Sequence, residues 1–212
     1  MKRILIALPL CLSLLPSIAP VRAADDAVLL SRRSGTVEFQ RGGAERWNQV
    51  IATRVLQQND TARTGTGAAA TINFTQGGRA FLAADAQVRV NGGTDGTRLT
   101  ILTGKVRVAL DYAKPGTYVF KTPSSQMAVR GTDFAFYEDA KRFEVGVYEG
   151  VVDATIEGHT TTIPTWRGII YDKARKTTAQ LAVGTIHGDF NTLYTTEEFV
   201  RDRNAARSAG FI

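Results

Sequence analysis

Between Gly35 and about Asp172 the chain is written in short runs of β-branched and aromatic residues, separated by glycine clusters roughly every eight to twelve residues. The runs are Thr36 to Phe39, Ala69 to Phe74, Arg79 to Leu82, Gln87 to Val90, Arg98 to Leu102 and Lys105 to Leu110. The series continues through Thr117 to Lys121, Phe134 to Tyr137, Phe143 to Tyr148, Val151 to Ile156 and Ile169 to Tyr171. Such spacing with no helical stretch between the runs specifies an all-β fold. Strict alternation within several runs assigns one face to a core: Ile72 and Phe74, Val88 and Val90, Val106 and Val108, and Phe143, Val145 and Val147, against polar neighbours such as Asn73, Arg89, Arg107 and Glu144. A slip of one residue would turn each apolar set to water, so the pattern specifies register as well as class.

The separators, among them Thr64-Gly65-Thr66-Gly67, Gln76-Gly77-Gly78 and Asn91-Gly92-Gly93, supply tight turns and lead into further β-like runs. A phosphate loop needs a helix whose N-terminal amides face the anion, so none of them reads as one. Repeated strand and turn units fit either a solenoid-like stack or a two-sheet stack, and both leave end edges that something must cover. Past Asp172 the text changes. Thr195-Thr196-Glu197-Glu198 forms a capping box, and a helix is expected over about 196 to 210, in a tail that runs from 173 to 212.

At the other end, Lys2 and Arg3 precede an apolar run from Ile4 to Leu15 and the small-residue site Val21-Arg22-Ala23, the order of a cleavable signal peptide over residues 1–23. The run is 12 residues long, short of the ~20 needed to span a bilayer as a helix. Cleavage after Ala23 leaves 189 of the 212 residues, enough for one domain with a substantial core, and no further membrane-spanning segment. Cys11, the one cysteine, leaves with the signal, so the mature fold is held without disulfides or thiolate metal ligands. Lysine plus arginine falls from 26 to 23 against 20 acidic residues, about half the original net charge of +6. That balance, with basic residues scattered along the chain, argues against a nucleic-acid partner.

Candidates for chemistry are few. His159 and His187 sit in turn-like text without ligand-spaced partners, and no Gly-x-Ser-x-Gly elbow accompanies His187-Gly188-Asp189. Neither a metal nor another cofactor is expected. Glu138, Asp139, Glu144, Glu149 and Asp153 cluster in one stretch, and a hydrolase would require at least two of them to converge in a cleft. Trp47 and Trp166 are far apart in sequence, and a glycan platform would require the fold to unite them.

The most specific text is Lys121-Thr122-Pro123, then Ala128-Val129-Arg130-Gly131-Thr132-Asp133-Phe134, then Val147-Tyr148-Glu149-Gly150-Val151-Val152. Arg130 and Glu149 are charges set beside apolar runs and are expected to pair with each other. Gly131 is expected to supply a bulge or a close backbone approach. The combination of Arg-Gly-Thr-x-Phe with a later Glu-Gly-x-Val resembles the FecR domain, the periplasmic part of sensor proteins that regulate iron-siderophore uptake. Arg63-Thr64-Gly65, Gly77-Gly78 and Thr103-Gly104-Lys105-Val106 fall where that family carries similar pieces, so the resemblance spans roughly Ser34 to Asp172. It implies stacked, imperfect β-repeats over 34–172 that act through protein contacts. Signalling members begin with a cytoplasmic sigma-factor-binding segment and a transmembrane helix. This chain opens on a signal peptide instead, and is expected not to reach a cytoplasmic sigma factor. Arg130, Gly131, Thr132, Phe134, Glu149 and Gly150 are expected to hold the fold rather than a ligand. The resulting expectation is a periplasmic or secreted, non-enzymatic binding module for an envelope protein, with polysaccharide or peptidoglycan binding as the alternative.

Overall fold

A computed structural model describes residues 28–75, 77–91, 97–110 and 118–182, and these form strands and turns with no helix. The first strands are β1 (Val28–Ser34), β2 (Val37–Gln40), β3 (Trp47–Gln49), β4 (Thr53–Leu56), β5 (Thr61–Thr64) and β6 (Ala69–Phe74). The central ones are β7 (Arg79–Leu82), β8 (Gln87–Val90), β9 (Thr97–Ala109), β10 (Tyr118–Lys121), β11 (Ser125–Val129) and β12 (Asp133–Glu138). The last are β13 (Arg142–Glu149), β14 (Val151–Ile156), β15 (His159–Pro164), β16 (Arg167–Asp172) and β17 (Thr177–Ala182).

Two ladders share one strand. Sheet A has the order β4-β1-β6-β7-β9-β12-β13-β16-β17. Sheet B has the order β3-β2-β5-β8-β9-β10-β11-β14-β15. Every pairing is antiparallel except β9 with β10. Neither sheet closes on itself among the described residues.

The sequence reads Arg98 to Leu102 and Lys105 to Leu110 as two strands split at Gly104. The structure corrects this: β9 is one strand, and Gly104 bends it from sheet B into sheet A. Thr103 pairs with Gln87 in sheet B, and Gly104 pairs with Glu138 in sheet A. Gly104 has φ 92°, and a Cβ there would lie 2.4 Å from the Ala86 Cα, so both the bend and the close approach require glycine.

The chain weaves between the sheets in a repeated way that the sequence does not display. β5 lies in sheet B, β6 and β7 form a hairpin in sheet A, and β8 returns to pair with β5. β11, β12, β13 and β14 do the same, with the β12/β13 hairpin in sheet A and β11 paired to β14 in sheet B. Between the sheets lies one core. All nine residues that alternation assigns to it, from Ile72 to Val147, are buried, each contributing on the order of 1.5–3 kcal/mol by transfer from water. The sheets meet through aromatic rings: Phe120 of sheet B has its centroid 5.6 Å from Phe134 and 6.4 Å from Phe74, both in sheet A.

Strand β1 starts before residue 34 and β17 lies beyond residue 172, and both belong to sheet A. The expected signal peptide over 1–23 and the expected helix over about 196 to 210 lie outside the described residues. No helix among the described residues is long and apolar enough to cross a membrane.

Candidate functional site

The motif residues occupy two adjacent corners where the chain changes sheets. Val129, the last residue of β11, pairs with Val152 of β14 in sheet B, and Asp133, the first of β12, pairs with Glu149 of β13 in sheet A. Arg130-Gly131-Thr132 therefore carries the chain from B to A, while Gly150 carries it back beside it. Both corners need positive φ, supplied by Gly131 at 55° and Gly150 at 86°.

Around the corners, Thr132 is fully buried, and its carbonyl accepts the Leu110 amide at 2.9 Å. Its hydroxyl finds no hydrogen-bond partner among the described residues. Phe134 is fully buried and stacks on Phe136 at 5.7 Å, next to Phe120. The Gly150 carbonyl accepts the Thr165 hydroxyl at 2.9 Å, and the neighbouring Trp166 amide donates to the Val147 carbonyl at 2.7 Å. Arg130 is exposed at its corner and Glu149 is half-buried.

The buried ion pair at the centre of this motif involves residues that sequence reasoning did not select. Arg107 of β9 donates from Nε and Nη2 to the two carboxylate oxygens of Asp133, at 2.9 and 2.6 Å. Arg107 is 0% exposed. Its guanidinium carbon lies 4.3 Å from the centre of the Tyr148 ring, and Tyr148 in turn meets Trp166 edge-on at 6.3 Å. Two signals in the sequence point to the pair. One arginine interrupts Val106-Arg107-Val108-Ala109-Leu110, and an aspartate fills the variable position of Arg-Gly-Thr-x-Phe. A planar guanidinium engaged by both carboxylate oxygens suits burial better than an ammonium would.

The five clustered carboxylates do not converge. Glu138 is buried at one end of the core, where it accepts the Ser124 hydroxyl at 2.9 Å and pairs with the Lys173 ammonium. That contact joins the β10/β11 turn of sheet B to β12 of sheet A. Glu144 alternates to the opposite face of sheet A, with Arg142 Nε 3.0 Å from its Oε1 but out of hydrogen-bond alignment. Asp139 accepts the Lys141 and Arg142 amides at 2.7 and 2.8 Å and the Tyr137 hydroxyl at 2.9 Å, closing the β12/β13 turn. Burial pushes its carboxyl up, but those donors and the Arg142 charge outweigh it and hold the group below the usual aspartate range. Asp153 faces out of sheet B and accepts the Thr162 hydroxyl at 2.7 Å.

The tryptophans are also separate. Trp47 lies on β3, an edge strand of sheet B, with the Arg63 guanidinium 4.0 Å from its ring, whereas Trp166 precedes β16 of sheet A at the far end of the stack. His159 opens β15 and is exposed, and His187 lies outside the described residues.

Residues 60–153 match the family model described as FecR protein. Comparison with curated proteins returns no match. Two crystal structures of a candidate anti-sigma factor from Parabacteroides distasonis ATCC 8503, at 1.65 and 2.50 Å resolution, share the fold at 15% identity and a TM-score of 0.52. Each comparison covers 57% of this chain and 59% of that one. The family match runs from the start of β5 into β14, so it contains both repeated four-strand units and both glycine corners. This chain carries a FecR domain, which the family model matches over residues 60–153.

Proposed function

We propose that this protein is an exported FecR-like module without catalytic activity that contacts another protein of the bacterial envelope as an accessory to signalling. The FecR match over residues 60–153 carries the reading, and the fold shared with a candidate anti-sigma factor supports a signalling context. The use of the motif residues in corners and core supports an action through surfaces rather than through a reactive cleft. Export rests on the order of Lys2, Arg3, the apolar run and Val21-Arg22-Ala23.

The full chain, expressed in a bacterial host with a C-terminal tag, is fractionated, and its N-terminus is sequenced. A periplasmic or secreted product beginning at Ala24 supports export, and an unprocessed cytoplasmic product refutes it. The processed protein then serves as bait in detergent-solubilised envelope, with its fold checked by circular dichroism. Repeated enrichment of one membrane protein supports the contact role. A well-folded bait that recovers no protein above background sinks it.

A further inference from the structure

A polar cleft of about 470 Å³ opens at the end of sheet B, between the β2/β3 turn, the β4/β5 turn and β8. It lies outside the corners described above. Its walls are held by a buried carboxylate. Asp60 is 1% exposed and accepts the Gly42 amide at 3.1 Å and the Gln57 amide at 2.8 Å, while the Arg41 guanidinium pairs with the same group. Asp60 thereby clasps the two turns together. The Asn59 amide donates to the Val90 carbonyl at 2.8 Å and the Val90 amide to the Asp60 carbonyl at 2.9 Å, which fixes β8 as the third wall. The cleft is therefore preorganised, with the charge of Asp60 already met by Arg41 and two backbone amides.

What the cleft offers a ligand is hydrogen bonding and one positive charge. Among the described residues, the side chains of Gln57, Gln58, Asn59 and Arg89 have no hydrogen-bond or ion-pair partner, and all four are exposed at its rim. Carboxamides donate and accept at once, which suits hydroxyl groups, themselves both donors and acceptors. A peptide would look for apolar subsites for its side chains, and this lining supplies none. The unpaired guanidinium of Arg89 matches a carboxylate. One strand away, Trp47 sits directly across the ladder from Gln40, a cleft residue, and gives a half-exposed aromatic edge beside it.

We infer that this cleft binds a carboxylate-bearing saccharide, with Arg89 as the carboxylate contact and Gln57, Gln58 and Asn59 as hydroxyl contacts. The site is independent of the protein contact proposed above. The test titrates the processed protein with a uronic-acid trisaccharide and with the neutral hexose trisaccharide of the same linkage, followed by amide chemical shifts and calorimetry. Shifts confined to Gly42, Gly43, Gln57, Gln58 and Asn59 are expected. Arg89→Gln, an exposed position outside the clasp, is expected to weaken the acidic sugar about tenfold, the worth of one charged hydrogen bond. The same variant leaves the neutral sugar unchanged. Gln58→Ala weakens both sugars, and Arg54→Gln on β4 of sheet A weakens neither. The inference is overturned if neither sugar shifts the cleft amides, if Arg89→Gln binds the acidic sugar as the wild type does, or if a peptide ending in a free carboxylate binds more tightly than the saccharide.

Discussion

Replacing Asp133 by asparagine keeps the shape of the side chain and removes the carboxylate that neutralises Arg107. The arginine is 0% exposed, and its two bonds to Asp133 are 2.9 and 2.6 Å long, so water cannot take the place of the lost charge without opening sheet A. Two unit charges about 4 Å apart attract by about 4 kcal/mol at an effective dielectric constant of about 20. That agrees with the roughly 3–5 kcal/mol lost when one partner of a buried pair is removed, a large share of the ~5–15 kcal/mol by which domains are stable. In urea the midpoint of Asp133→Asn is expected to fall with an unchanged m-value. Its Tm is expected to drop by roughly 6–20 °C, at about 2–4 °C per kcal/mol for a domain of this size. The loss persists at 1 M salt, because a buried pair is little screened. The double variant Arg107→Met/Asp133→Leu regains most of the stability, since replacing both charges by apolar groups removes the desolvation cost along with the attraction. A loss below about 1 kcal/mol for Asp133→Asn, of the size measured for exposed pairs, or a double variant no better than the single one, refutes the reasoning.

Phe134→Ala empties a fully buried site between Phe120 and Phe136 and is expected to cost about 3–5 kcal/mol in urea unfolding; a smaller loss would mean that the site collapses without a cavity. Gly131→Ala forces an L-residue to φ 55° and is expected to cost about 1–2 kcal/mol by the same assay, so a neutral result would contradict the corner geometry. Thr132→Val removes a buried hydroxyl that has no hydrogen-bond partner among the described residues and is expected to raise stability by about 1 kcal/mol; destabilisation would reveal a partner for it. Asp139 and Asp172 are both expected to titrate below an ordinary aspartate in carboxyl NMR. For Asp139, burial is outweighed by the amides of Lys141 and Arg142, the Tyr137 hydroxyl and the Arg142 charge. For Asp172, the Arg175 amide leads, with the Ala174 amide and the Arg175 charge behind it and burial opposing. Because the folded pKa is depressed in both, the stability they add is present above the unfolded value of about 3.9 and is lost as pH falls through the folded values. A midpoint at or above the unfolded value would contradict the turn hydrogen bonds.

Much of the fold is legible in local text. Alternation at Val106 and Val108, or at Phe143, Val145 and Val147, states which face of its own strand each residue takes, because successive side chains on a strand point to opposite sides. Glycine in Arg-Gly-Thr and Glu-Gly marks where the backbone must adopt positive φ, and both places are corners of the stack. The same local reading fails at Gly104, where a glycine that looks like a break between strands is a bend within one. It fails there because a break and a bend share the same dihedral angle, and only the partners Gln87 and Glu138 on either side distinguish them.

Alternation placed Arg107 on the face away from the core, and that is where it lies. Its burial was decided by Phe81 and Ala135, which flank it on neighbouring strands, and by the Tyr148 ring over it. Glu138 likewise reads as one of five clustered carboxylates, yet its cation, Lys173, comes from 35 positions along the chain. The cleft at Asp60 exists because its carboxylate joins the β2/β3 and β4/β5 turns while the backbone of Asn59 and Asp60 bonds to Val90 of β8, three elements that are separate in sequence. The sequence by itself determined class and faces, since these follow from a period of two, and it marked Gly131 as a special backbone position without showing that the chain changes sheets there. What each face meets was left to the tertiary structure, because cross-strand neighbours are set by the pairing of distant segments and carry no local periodic signal.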